Sequence, residues 1–281
     1  MFSSLIIVFR EVLEAALVIG IVCAATRGVR RRGVAVGSGI AAGVVGAGIV
    51  AWFADGLADL AEGMGQELFN AIVLLTVVAM LTWHLVWMAY HGAQIAREAV
   101  AKGESVKRGN EPLTVLFVLV GMAVLREGAE VVLFLYGIAA GGSSPGMMVT
   151  GSSLGLALGL VVGFALYAGL IRIPTRYMFS VTTVMLVLLA AGMAGQASKY
   201  LVQADYLPAL GYGIWDSSWL IDNSSITGEI LRTLIGYDAQ PAGIQLVFYI
   251  STLTLIGLCM WWVKSHYGVD RDAAAVDIRM S

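Results

Sequence analysis

Two short stretches place charge where the surrounding residues are apolar. Phe9 to Val18 reads FREVLEAALV, and Leu125 to Phe134 reads LREGAEVVLF. Each contains arginine, the adjacent glutamate and a second glutamate three positions further on: Arg10, Glu11 and Glu14 in the first, Arg126, Glu127 and Glu130 in the second. On a helix at about 100° per residue, the three charges of one RExxE fall within roughly a 100° arc. Four carboxylates brought together would offer oxygen ligands to a hard cation, and the absence of sulfur among them disfavours a soft metal. Arg10 and Arg126 serve as counter-charges, since four negative groups cannot sit together uncompensated.

The cost of the pattern argues for a function. A charge at a helix centre opposes membrane insertion by about 2.5–3.5 kcal/mol, so six oppose it by roughly 15–20 kcal/mol before pairing. One RExxE on a soluble helix would be an ordinary i,i+4 pair. Two copies in apolar sequence, 116 positions apart, need another reason.

The elements that must position these charges are membrane helices. Hydrophobic residues make up 59% of the 281 positions and charged residues 13%, about half the charged share of a soluble domain. Seven segments reach the roughly 20 apolar residues a span needs: about 3–25, 34–54, 68–90, 113–139, 148–171, 177–197 and 242–263. The first is expected to stay in the mature chain, because its apolar run has no basic lead and carries three charges. Cys23 and Cys259 lie near the ends of apolar segments and read as packed thiols, and no nucleic-acid-binding face is visible.

Basic residues mark cytoplasmic loops. Arg27, Arg30, Arg31 and Arg32 follow the first segment; Arg97, Lys102, Lys107 and Arg108 the third; Arg172 and Arg176 the fifth; Lys264, Arg271 and Arg279 the seventh. The N-terminus is therefore expected outside and the C-terminus inside. This topology leaves 13 basic and 6 acidic loop residues inside against 2 basic and 9 acidic outside, a net outer charge of about −7.

The repeat extends beyond the charges. Gly39, Gly43, Ala47 and Ala51 recur every fourth residue in the second segment, and Gly151, Gly155, Gly159 and Gly163 do so in the fifth, 112 positions later. Small residues at this spacing let helices approach closely in a bilayer. The expected architecture is all-α: a single transmembrane domain over 1–281, with repeat one at about 3–90, repeat two at about 113–197 in opposite orientation, and an unpaired seventh helix at about 242–263. Inverted repeats of this kind place the substrate site near the midplane.

The outer loop, 198–241, is 44 residues long, too long for a plain connector. Ser225 suits a helix N-cap and Gly236 a helix stop, with Ile226, Ile230, Leu231 and Leu234 on one side. An interfacial or a re-entrant helix fits that pattern. Trp215 and Trp219 beside Asp216 and Asp222 leave two readings, an interfacial anchor and an outer collection point for cations. In the third segment His84 and His91 share a face with Trp87 and Met88, as an exit path or as helix-end packing. Met185, Met193 and Gln196 in the sixth segment are candidate path-lining residues, with packing the plainer reading.

Two RExxE helices, seven spans and an outer WDSSWL stretch (215–220) together resemble the iron permease family, which includes fungal high-affinity permeases and bacterial counterparts. The family motif is often written REGLE; here Val12 replaces the glycine of the first copy and Ala129 the leucine of the second. The resemblance covers nearly the whole chain. It implies that Glu11, Glu14, Glu127 and Glu130 bind iron, and that no cofactor is needed beyond the transported ion. It also implies a multi-pass protein of the bacterial inner or plasma membrane, working with a separate iron oxidase or periplasmic iron-handling protein. The expected activity is import of iron as Fe(III). A transporter of another hard or heavy cation is the nearest alternative, and an intramembrane acid/base hydrolase the alternative of a different class. Symmetric copies suit a binding site better than an acid and base of unlike pKa.

Overall fold

The computed structural model describes residues 1–60, 65–169, 175–223 and 225–280. Arg172 and positions 61–64 of the second connection therefore lie outside the described residues. Eight helices occur among those described: α1 (Phe2–Ala25), α2 (Arg32–Leu60), α3 (Gln66–Lys107), α4 (Thr114–Ala140), α5 (Pro145–Tyr167), α6 (Thr175–Gln203), α7 (Ile226–Ile235) and α8 (Gly243–Met280). Five contain stretches long and apolar enough to cross a bilayer: Arg32–Ala54, Gln66–Ala89, Pro145–Tyr167, Ser180–Gln203 and Gly243–Val263. The 24 residues of α1 and 27 of α4 are also long enough to span, but each carries the three charges of an RExxE motif. The chain is an all-α multi-pass membrane protein.

Four helices run past the ends expected from hydropathy: α2 reaches Leu60 and α6 Gln203, so that 198–203 of the expected outer loop is helical, and α3 and α8 run on furthest. α3 continues to Lys107, so Arg97, Lys102 and Lys107 stand on a helix rather than in a loop. Apolar content marks only the stretch a bilayer would cover, whereas residues 91–107 are mostly good helix formers with no proline. The helix stops at Arg108, followed by Gly109 at φ +80°, a left-handed turn that glycine adopts without Cβ strain. α8 similarly extends to Met280, carrying Lys264, Arg271 and Arg279 on its continuation.

The chain divides into two compact units, 1–74 with 95–182 and 75–94 with 183–281. In the first, α1 packs on α5, α2 on α4, and α1 on α4. α5 shows the logic of such packing: Gly151, Gly155, Gly159 and Gly163 are buried, while Leu154, Leu156, Leu158, Leu160, Val161 and Phe164 are exposed. Lipid is as apolar as leucine, so burying the bulky face gains little; bringing backbones close gains dispersion contacts. A Cβ placed on Gly155 would lie 2.5 Å from the Leu5 carbonyl oxygen, and one on Gly159 2.8 Å from Val12 Cγ1. On α2, a Cβ at Gly39 would lie 2.7 Å from the Phe117 carbonyl oxygen, and one at Gly43 2.7 Å from Val124 Cβ.

The second unit holds the middle of α3, most of α6, then α7, α8 and the loop before α7. The expected cap residues are in place: Ser225 Oγ accepts from the Gly228 N–H at 2.9 Å, and Gly236 closes α7 at φ +71°. The loop folds back on the start of α8 through backbone pairs. The Ile214 N–H donates to Pro241 O, Ser217 N–H to Ala239 O, Gly243 N–H to Gly211 O and Ile244 N–H to Ala209 O, at 3.0–3.1 Å. The Tyr237 hydroxyl donates to Ile221 O at 2.9 Å and lies 2.7 Å from Ser217 Oγ.

Candidate metal site

Both RExxE motifs sit near the middle of their helices, Arg10 eight residues into α1 and Arg126 twelve into α4. Within α1, Arg10 Nη1 lies 3.0 Å from Glu11 Oε1 and Nη2 2.8 Å from Glu14 Oε1, with all three side chains buried. Within α4, Arg126 Nε lies 3.1 Å from Glu130 Oε1 and 3.7 Å from Glu127 Oε1. The second set is less enclosed, with the Arg126 side chain a third exposed. Each arginine thus grips the two glutamates of its own motif, as the helical spacing predicts.

Packing of α1 on α4 brings the motifs together. Glu11, Glu127 and Glu130 each offer a carboxylate oxygen within 4.8 Å of the others, and Glu11 and Glu14 are equally close. Glu11 Oε2, Glu14 Oε2 and Glu127 Oε2 are buried, and none accepts a hydrogen bond from the described residues. A buried carboxylate oxygen left unsatisfied costs about 1–3 kcal/mol or more. A cation would satisfy several of them together. Fully ionised, four glutamates and two arginines sum to −2, which attracts a multivalent cation without the full repulsion of four bare carboxylates.

The two seams close over the motifs in complementary ways. Val12, inside the first motif, fills the space over Gly159, whereas Gly128, inside the second, receives the methyl of Ala47 at 2.7 Å from where its own Cβ would stand. The glycine missing from the first motif is therefore replaced by one on the facing helix.

His84 is buried on α3. His91 stacks on Trp87, ring centroids 4.7 Å apart and 20° between planes, with Nδ1 3.3 Å from the Trp87 carbonyl oxygen, a contact within α3 and not at its end, since the helix continues to Lys107. Met193 is buried, and Met185 and Gln196 are half-buried. Asp216 is exposed, but its carboxylate accepts from the Ser218 N–H and hydroxyl and from Gln240 Nε2. These bonds, those from Ser218 first, hold its pKa below the ordinary aspartate range. The exposed Asp222 accepts from Ser225 through its backbone carbonyl. Trp219 is exposed and Trp215 partly so.

One polar node had no motif to announce it. Asp238 accepts from Asn223 Nδ2 at 2.9 Å and from the Gln240 N–H at 3.2 Å, and lies 3.3 Å from Lys199 Nζ. Burial pushes its pKa up, but these hydrogen bonds and the lysine outweigh burial and leave it below the usual aspartate value. The node ties the end of α6 to both flanks of α7.

Residues 1–265 match the iron permease FTR1 family. The chain belongs to that family. It is 32% identical over 249 residues to the ferrous iron permease EfeU of Escherichia coli O6:H1, covering 86% of this chain and 88% of the relative. A Shigella sonnei protein of the same name is 31% identical over 251 residues, with the same coverages. The Shigella flexneri protein is 32% identical over 179 residues, 63% of this chain and 75% of the relative. No solved structure matches. Family membership makes the chain a permease of the cell membrane rather than an enzyme.

Proposed function

We propose that the protein imports iron through a site formed by Glu11, Glu14, Glu127 and Glu130, with Arg10 and Arg126 as resident counter-charges. The observation that carries this reading is the meeting of Glu11, Glu127 and Glu130 from two helices, with buried oxygens left for a cation to bind. Hard carboxylate oxygens favour Fe(III), whereas the relatives are named for ferrous iron. Uptake into proteoliposomes, measured for iron with and without a reductant and for manganese, zinc and lead, tests both points. Iron accumulation at least tenfold above the other metals is expected, faster without reductant if Fe(III) is the cargo. Equal uptake of all four metals would reject iron specificity.

The architecture we assign is seven spans with two repeats in opposite orientation, about 3–90 and 113–197, the N-terminus outside and the C-terminus inside. Its support lies in equivalent contacts. The Cβ position of Gly39 meets Phe117 and Val120, and that of Gly151 meets Met1 and Ser4. Adding 112 to 39 gives 151, and adding 116 to 1 and 4 gives 117 and 120, so the same pair of positions touches in both halves. The two motifs then face one another across a pseudo-twofold axis, which puts the carboxylates near the bilayer midplane. An impermeant thiol reagent should reach Glu104→Cys only from the cytoplasmic side and Tyr212→Cys only from the other. Labelling of both from one side would overturn the topology.

A further inference from the structure

α7 contains ten residues, about 15 Å of helix and too short to cross a bilayer. Its end nevertheless lies deep. A Cβ on Gly192 would stand 2.7 Å from Gly236 Cα, and one on Gly236 2.5 Å from Gly192 Cα and 3.0 Å from Tyr249 Cε2. Gly192 is near the midpoint of the Ser180–Gln203 span and Tyr249 a third of the way along Gly243–Val263. Two neighbouring helices, read independently, thus put Gly236 inside membrane-spanning length. The flanks of α7 stay high: Asn223 and Asp238 bond each other, and Asp238 pairs with Lys199, seven residues or about 10 Å along α6 from Gly192.

We propose that α7 is a re-entrant helix. It enters the bilayer from the Asn223 side, turns at Gly236 against Gly192, and returns to the level of Asp238 without crossing, with the acyl chains of one leaflet against its outer side. Ile235, 39% exposed on the protein itself, is the residue those chains cover. The exposed Arg232 lies about 6 Å above Gly236, and its stem is long enough to carry the guanidinium back toward the head groups. The glycine pair sets the depth, because any side chain at either position would occupy the other's backbone. The left-handed turn at Gly236 lets the chain reverse within two residues.

The test uses the full-length protein in sealed vesicles, in a Cys23→Ser, Cys259→Ser background, with an impermeant maleimide. Ile235→Cys should react at least 100-fold more slowly than Tyr212→Cys, and both should react alike after denaturation in SDS. Adding Gly192→Val should lift the turn and raise the Ile235→Cys rate at least tenfold. Equal rates for Ile235→Cys and Tyr212→Cys in intact vesicles would place α7 in water and overturn the proposal. Unchanged protection with Gly192→Val in place would show that the glycine seat does not set the depth.

Discussion

Glu127→Gln is expected to abolish iron uptake as completely as Glu11→Gln, with the protein still inserted and correctly folded. The amide keeps the shape and one carbonyl oxygen but removes the charge. The arginine of each motif keeps a second glutamate, Glu14 for Arg10 and Glu130 for Arg126, so no buried guanidinium is stranded and little stability is lost. The site loses one of its hard ligands and a unit of negative charge. A fall of at least 100-fold in iron affinity is expected, equivalent to about 2.7 kcal/mol. Glu14→Gln and Glu130→Gln should behave alike. Arg10→Lys and Arg126→Lys keep the charge but lose the planar fork that holds two carboxylates, so reduced uptake is expected there too. Direct metal binding and transport, measured on the purified variants, separate this from a hydrolase. An enzyme would need one motif and leave metal binding alone. Normal transport by Glu127→Gln and Glu130→Gln, with the first motif essential, would refute the shared site.

Gly155→Val should prevent accumulation of folded protein. A Cβ there would already stand 2.5 Å from Leu5 O and 3.0 Å from Phe9 N, and both are backbone atoms, so α1 itself would have to move. Overpacking commonly costs about 1–3 kcal/mol where side chains can adjust; here they cannot. Gly43→Val should be nearly as damaging, with Gly121 O at 2.8 Å from the added Cβ. Gly48, on the same helix as Gly43, has nothing within 4 Å, and Gly48→Val should be tolerated. Membrane abundance and thermal stability in detergent compare the three. Normal stability of Gly155→Val would mean that α1 and α5 are not packed this closely.

What the sequence made legible was whatever has a period or a price. The charges of Arg10, Glu11 and Glu14 stand out because apolar surroundings make them expensive, and Gly151, Gly155, Gly159 and Gly163 because they recur at one helical face. Ser225 and Gly236 announce the ends of α7 through local backbone chemistry. Partner choice has no such signal: nothing in the spacing of Gly159 says that it faces Val12 rather than another helix. The ends of α3 and α8 were missed because hydropathy measures the bilayer, whereas a helix ends where its backbone is stopped, as at Gly109. Asp238 was missed because its partners, Lys199, Asn223 and Gln240, are gathered by the fold and share no sequence pattern.

The pairing of α1 with α5 and of α2 with α4 also has a consequence for biosynthesis. Gly155 emerges 150 residues after Leu5, the residue it packs against, which at about 5–20 residues per second is roughly 8–30 s of translation. In the seven-span architecture we propose, α1 resides in the bilayer for that interval without its seam, and for most of it without the glutamates of α4. Its three charges must be tolerated by α1 alone, and the intrahelical pairs of Arg10 with Glu11 and Glu14 form as soon as the helix does. On that architecture, an arginine within each motif acts as an insertion device as well as a counter-charge. Each charged helix enters the membrane carrying its own partial neutralisation, and the carboxylates of the two helices meet only when α4 arrives.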